Sequence, residues 1–222
     1  MVGKLLLLAG LVPFVISFAV AQFLGARRLS RTQQTRQSAV EMVQAVLASS
    51  GITVKQHRSW WFGSNPLKEK EFSLSAEVAE SKDVKTVAAA VQAAGLALLQ
   101  GVHEKSVLVR YKSVRFAAVF PLFVLIAAVL GRVVGRVNTS MCLGVISISL
   151  GLACLACLLT LATEREAANR AAKTLEKEGF FKRMSEQEAF EEALYGVVYL
   201  QALPRFFQKF ALASIKPKSD QE

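Results

Sequence analysis

Three long apolar stretches set the pattern of this chain. Leu5 to Leu24 is broken only by Pro13 and a few small or polar residues. Phe116 to Gly131 carries no charge, and it lengthens to Val137 if Arg132 and Arg136 lie at an interface. Met141 to Ala162 is uncharged throughout. A bilayer core about 30 Å thick takes roughly 20 helical residues, so each stretch reads as a transmembrane helix, at 1–25, 116–137 and 140–162. The first has a competing reading. Lys4, the apolar run and Ala19-Val20-Ala21 look like a signal peptide with its cleavage site. Against this, the run is long for such a segment and continues to Arg27 and Arg28.

Between the first and second stretches the pattern shortens. Val40, Val43, Ala45, Val46 and Leu47 recur at helical spacing, with Gly51 ending that helix. Ile52–Lys55 reads as a short strand. Trp60-Trp61-Phe62-Gly63-Ser64-Asn65-Pro66 is a turn preceded by aromatic rings, which anchor either at a membrane interface or within the domain. Glu71 to Val78 alternates, with Phe72, Leu74, Ala76 and Val78 on one face, as a half-buried strand does. Ser81 or Asp83 then caps a helix from about Val84 to Gln100, apolar nearly all round and so expected to be buried. The predicted fold is mostly α and integral to a membrane. It has three to four transmembrane or interfacial helices, with a small α+β soluble domain, 26–115, inserted between the first and second spans.

The remainder, 163–222, begins with a charged helix from about Glu164 to Lys177, ended by Gly179. Ser185 with Glu188 has the spacing of a capping box opening the last helix. Leu194–Leu212 is apolar except for Gln201, Arg205, Gln208 and Lys209, which fall on one helical face, and Pro204 bends it. It reads as an amphipathic helix in the interface or as a fourth membrane helix with a polar face turned to protein. The tail Lys216–Glu222 is expected to be disordered.

Charge then orients the spans. Arg27, Arg28, Arg31 and Arg36 follow the first, Arg110, Lys112 and Arg115 precede the second, and Arg165, Arg170 and Lys173 follow the third. The other side carries only Lys4, Arg132 and Arg136. By the positive-inside rule the Arg-rich side, with the soluble domain, faces the cytoplasm of a bacterium or the matrix or stroma of an organelle. The net charge of +10 is then juxtamembrane charge meeting anionic lipid. Basic residues interleaved with aromatics on a soluble face are absent from the sequence, so nucleic acid is not expected as a partner.

Candidate chemistry is sparse. The two histidines are His57, in a basic aromatic loop, and His103, which has Val107 rather than a second His four residues on. Each reads as a lone surface histidine. No G-x-S-x-G, G-x-x-x-x-G-K-[ST] or G-x-G-x-x-G is present. Cys154 and Cys157 have redox spacing but lie deep in the third apolar stretch, and with Cys142 they read as small packing residues. Gly131 with Gly135, and Ser147 with Gly151, have the small-xxx-small spacing that permits close helix approach. Glu164 and Glu166 emerge straight after an uncharged span, where carboxylates are favoured at a helix start.

The order of these pieces resembles the YugP-type neutral zinc metallopeptidases, a family of bacterial membrane proteases. Asn65-Pro66 stands where that family has a D-P turn. Phe72-Ser73-Leu74-Ser75-Ala76-Glu77-Val78 matches its strand. Ala88-Ala89-Ala90-Val91-Gln92-Ala93-Ala94-Gly95-Leu96-Ala97 lies where its alanine-rich helix carries H-E-V-G-H-A. Leu161-Ala162-Thr163-Glu164-Arg165-Glu166-Ala167-Ala168 lies at its acidic patch. The resemblance implies a zincin-like domain in which two histidines and a later carboxylate bind zinc and a glutamate acts as general base. Carried over by position, the histidines are Gln92 and Leu96, the base is Ala93, and Glu164 or Glu166 is the surviving acid. Leu cannot ligate zinc, Gln ligates it poorly, and Ala accepts no proton.

The expectation is therefore a pseudopeptidase with no catalytic residue, metal or other cofactor, and no small-molecule substrate. It is expected to work as a structural or accessory subunit beside other membrane proteins. Two alternatives stay open. One is a regulator that binds peptides and acts on an active protease. The other is a membrane hydrolase using Glu164, Glu166 and His103.

Overall fold

A computed structural model describes residues 2–29, 35–48, 50–57, 71–135 and 137–213. The Trp60–Pro66 turn, Asn65-Pro66 included, and the tail Lys216–Glu222 lie outside the described residues. Along the chain, α1 (Val2–Ala19) continues through a π-helical segment, Val20–Ala26, into α2 (Arg27–Leu29). Then come α3 (Ala39–Leu47), β1 (Thr53–His57), β2 (Glu71–Ser75), α4 (Ala76–Glu80) and α5 (Val84–Gln100). They are followed by α6 (Glu104–Val133), α7 (Thr139–Leu159), α8 (Leu161–Lys177), α9 (Met184–Leu200) and α10 (Arg205–Ala213). Three helical stretches, Val2–Leu29, Glu104–Val133 and Thr139–Lys177, are long and apolar enough to cross a membrane. The chain is thus mostly helical and suited to membrane association. Among the described residues β1 and β2 are the only strands.

The chain forms two compact units. The first joins Met1–Leu24, Leu108–Leu161 and Tyr199–Glu222. Its centre is the pair α1 and α7, held by small residues a heptad apart on α1. A Cβ added at Gly10 would stand 2.2 Å from the Ser147 carbonyl carbon and oxygen, and one at Gly151 2.6 Å from the Gly10 carbonyl oxygen. Gly3 meets Ser140 and Gly144 in the same way. The Ser147 hydroxyl donates to the Leu7 carbonyl at 2.9 Å, a hydrogen bond between spans. Such backbone proximity is what van der Waals packing needs where lipid offers no hydrophobic gain.

The second unit joins Gly25–Val107 and Ala162–Val198. The parallel pair β1–β2 runs in register from Thr53 opposite Glu71 to His57 opposite Ser75. Phe72 and Leu74 are buried, with their neighbours half-exposed, as the alternation requires. The strand expected to reach Val78 stops at Ser75 instead. The Ser75 hydroxyl accepts the Val78 N–H at 3.3 Å, and this cap turns Ala76–Glu80 into helix. α5 begins at Val84, with the Asp83 carboxylate accepting the Thr86 N–H at 3.1 Å. Eleven of its seventeen residues are buried, so the predicted central helix is central.

Four other boundaries differ from those read in the sequence. The second spanning helix starts at Glu104, not Phe116, so Arg110, Lys112 and Arg115 lie on it. The charged helix starts at Leu161, since Thr160 closes α7 by bonding back to Cys157 while the helical path runs on. α9 opens at Met184, with Glu186 and Gln187 N–H groups bonded to the Arg183 carbonyl. Ser185 thus lies inside the first turn rather than capping it. Finally, Leu194–Leu212 is not one helix, because Pro204, which cannot donate to the preceding turn, separates α9 from α10.

Candidate functional site

The site implied by the resemblance sits within the second unit, where α5 faces α8. Gly95 makes the approach possible: a Cβ there would stand 2.2 Å from the Ala167 carbonyl oxygen and 3.2 Å from the Ala171 Cβ. Ala167, Ala168 and Ala171 are fully buried on α8, as are Val91 and Ala94 on α5. With so little side chain between them, the helices bring two buried polar groups together. Gln92 Nε2 donates to Glu164 Oε2 at 2.6 Å. Gln92 is 3% exposed and Glu164 0%, a depth at which a carboxylate without donors would be very costly.

Leu96, one turn after Gln92, is buried, and Ala93 is half-buried beside them. Three of the four motif positions are therefore apolar or amide, and the fourth is a carboxylate engaged by that amide. Zinc takes imidazole, thiolate or carboxylate donors, usually four in a structural site and three in a catalytic one. The residues at this site do not fit it. Among the described residues no group of three or more His, Cys, Asp or Glu is placed to hold a metal ion.

Glu166, two residues beyond Glu164, has a different setting. It is at the surface, 2.9 Å from Arg170 Nη2 and 3.7 Å from His103 Nε2. The acids of the patch thus divide: Glu164 turns inward to Gln92, and Glu166 outward to His103 and Arg170. The three residues of the hydrolase alternative do not form one constellation. The side chain of His57 is outside the described residues. Cys142, Cys154 and Cys157 are buried and form no disulfide among the described residues.

Of the small residues with helix-packing spacing, Ser147 and Gly151 lie on the α1–α7 contact. Among the described residues Gly131 and Gly135 do not join such a contact. Gly131 faces Val137 a few residues on, while Gly135 takes φ +75° with nothing within 4 Å, as a turn glycine does. Sequence reasoning missed Gly3 and Gly10, though their seven-residue spacing, matched by Gly144 and Gly151, was a legible signal. It also missed a contact from α9, where the Tyr195 hydroxyl donates to Asn169 on α8. No pattern in the sequence announces that pair.

Away from Gln92 and Glu164, the second unit has a cavity of about 550 Å³. Met42, Val84, Phe181 and Phe190 give it apolar walls, and Arg36, Lys182 and Glu186 add charge. Arg36 and Glu186 face each other across 3.6 Å.

Comparison with curated proteins gives no match, and neither does comparison with solved structures. Comparison with protein families matches residues 4–199, nearly the whole chain, to the family described as "putative neutral zinc metallopeptidase". The match runs from the first spanning helix through α9, and so takes in both Gln92 and Glu164. The chain belongs to that metallopeptidase family.

Proposed function

We propose that this member of the family is catalytically silent and serves as a structural or accessory subunit of a larger membrane assembly. The observation that carries the reading is the Gln92–Glu164 hydrogen bond. A neutral amide donor occupies the position from which a histidine would lend electrons to a metal, and it satisfies the acid that would otherwise be a ligand. Ala93 offers no general base, and Leu96 fills a ligand position with hydrocarbon. The motif helix is thereby converted from a metal cradle into a packed, internally bonded core element.

In this reading the zincin-like α+β arrangement of β1, β2 and α5 is a retained scaffold. It faces the Arg-rich side of the membrane, which is the cytoplasm of a bacterium or the matrix or stroma of an organelle. Anionic lipid neutralises the basic belt on that side. The test is native co-purification from mild detergent, with the companions identified by mass spectrometry. A large complex of fixed stoichiometry is the expected result, and a small monomer or homodimer overturns the reading.

The mixed cavity supports a second reading, a regulator that holds a peptide for a protease. Apolar walls with a few charged groups suit a peptide side chain and its backbone. Crosslinking from a photoreactive group at Ala189 tests it. A peptide or protease adduct is the expected outcome, and its absence removes the reading.

A further inference from the structure

We infer that the cavity in the second unit is a receptor for the C-terminus of a peptide. It takes the terminal carboxylate at its charged rim and an apolar last side chain against its wall. The inference rests on the regulator reading and names what the regulator holds. Space comes first. The cavity measures about 550 Å³, inside the range of pockets that enclose a small ligand. Met42, Val84 and Phe190 line it and are almost wholly buried, so they form its apolar inner wall. Phe181 lines it too and is half-buried, its ring centroid 5.5 Å from that of Phe190. An apolar side chain laid against these rings removes their remaining surface from water.

Charge comes next. Arg36 and Lys182 outnumber Glu186 in the described lining, which is therefore net positive. Glu186 lies 3.6 Å from Arg36, and Lys182 makes no ion pair or hydrogen bond among the described residues. An anion entering the cavity meets that ammonium and shares the guanidinium with Glu186. A carboxylate has the acceptor capacity to bond both. Gln37 and Ser185 decide what carries the carboxylate. Both line the cavity, and neither side chain makes a hydrogen bond among the described residues. An alkyl chain, as in a fatty acid, would cover an amide and a hydroxyl without offering either a partner, at a cost in desolvation. A peptide brings backbone N–H and C=O groups to the same place. Carboxylate, amide and apolar side chain in one ligand are the chemistry of a chain end.

The test uses the full-length chain in detergent and a fluorescein-labelled pool of hexapeptides, randomised except for a final Leu-Phe. The last carboxyl is left free in one pool and amidated in a second. Anisotropy is expected to show saturable binding of both, with the free acid tighter by about fivefold, the upper end for an exposed ion pair. The preference shrinks as salt is added. It disappears in Arg36→Gln/Lys182→Gln, which still binds the amide and so reports its own folding, and it persists in Arg36→Lys/Lys182→Arg. Replacing the final Phe of the peptides by Ser weakens both forms. Equal binding of acid and amide, a preference that survives the double Gln variant, or indifference to the last side chain overturns the inference. Each of these leaves the regulator reading in place, because peptide still binds. Absence of binding by acid and amide alike removes both.

Discussion

The Cα of Gly95 and the carbonyl of Ala167 are in backbone-to-backbone contact, leaving 2.2 Å between a Cβ placed at Gly95 and the Ala167 oxygen. No side-chain rotation relieves that distance, because the opposing atom belongs to the main chain of α8. Gly95→Ala should therefore destabilise the second unit by about 1–3 kcal/mol, the usual cost of overpacking. The gain in helix propensity, about 1 kcal/mol, acts in the opposite direction and is the smaller effect. Thermal unfolding of the purified chain in detergent measures the balance. A midpoint that rises would show that α5 and α8 are not in contact at this position.

Gln92→Leu removes a donor from a fully buried carboxylate and should cost about 1–3 kcal/mol. Glu164→Gln keeps an oxygen to accept from the Gln92 amide, and should cost less. Replacing both residues by Leu takes the polar pair away together, so the double variant is expected to lose less than the sum of Gln92→Leu and Glu164→Leu. A double-mutant cycle read by chemical denaturation yields a coupling of about 0.5–3 kcal/mol. Strict additivity would mean that the two side chains do not interact.

Much of this was legible in the sequence, for physical reasons that can be named. Uncharged runs such as Met141–Ala162 have few stable alternatives to a spanning helix, so the spans were readable by length. Ser81 and Asp83 both announced the start of α5, because a short polar side chain before an apolar helix caps it, and the structure gives the cap to Asp83. The meeting of Gln92 with Glu164 was not legible from periodicity, since 72 residues separate them. It came into view only through the resemblance, which brought Gln92 and either Glu164 or Glu166 to one metal site. The opposite orientations of Glu164 and Glu166 were hidden as well. Two residues apart on a helix means about 200° of rotation, but the sequence alone does not say which acid faces α5. The end of β2 was misread for a local reason. The period-two pattern continues through Ala76 and Val78, yet the Ser75 cap overrides it.

The division of the acidic patch predicts unequal variants. Glu166 is 45% exposed and pairs with Arg170 one turn along the same helix, an arrangement worth about 0–1 kcal/mol. Glu166→Ala and His103→Ala should therefore leave the unfolding midpoint nearly unchanged. Glu164→Ala, which empties a fully buried position and strands the Gln92 amide, should lower it clearly. Equal effects at 164 and 166 would contradict the inward and outward assignments. A loss of cellular function on Glu166→Ala or His103→Ala at normal abundance would revive the hydrolase alternative.

The α1–α7 contact offers a separate prediction in the first unit. Gly10→Ile forces a branched side chain into the Ser147 backbone and should separate the helices, because Gly10 and Gly151 have no space to yield. Ser147→Ala removes one hydrogen bond to the Leu7 carbonyl and should cost only about 0.6 kcal/mol, typical of such bonds between spans. Spin labels at Leu5 and Leu143, both exposed on α1 and α7, report the distance between the two helices in membranes. Gly10→Ile is expected to lengthen it, and Ser147→Ala to leave it unchanged. A distance that survives Gly10→Ile would argue against glycine-mediated contact.

Placing at positions 92, 93 and 96 the residues that the family resemblance implies tests the proposed reading of the site most directly. Positions 92 and 96 are one turn apart on α5, and the Glu164 carboxylate already reaches the side chain at 92. Gln92→His with Leu96→His would add two imidazoles beside that carboxylate, three protein ligands in the number a catalytic zinc uses. Ala93→Glu would return the general base. The triple variant is expected to purify with about one zinc per chain and to be stabilised by added zinc, because a metal that binds the folded state alone raises its stability. The unaltered chain is expected to do neither, since Leu96 donates nothing and Gln92 Nε2 is a hydrogen-bond donor to the acid. Metal analysis by mass spectrometry, together with melting curves with and without zinc, separates the outcomes. Stoichiometric zinc in the unaltered chain would end the metal-free reading. Failure of the triple variant to bind would instead show that Glu164 is not placed as the third ligand. Hydrolysis of a peptide by the triple variant alone would mean that loss of these three side chains was what silenced the protein.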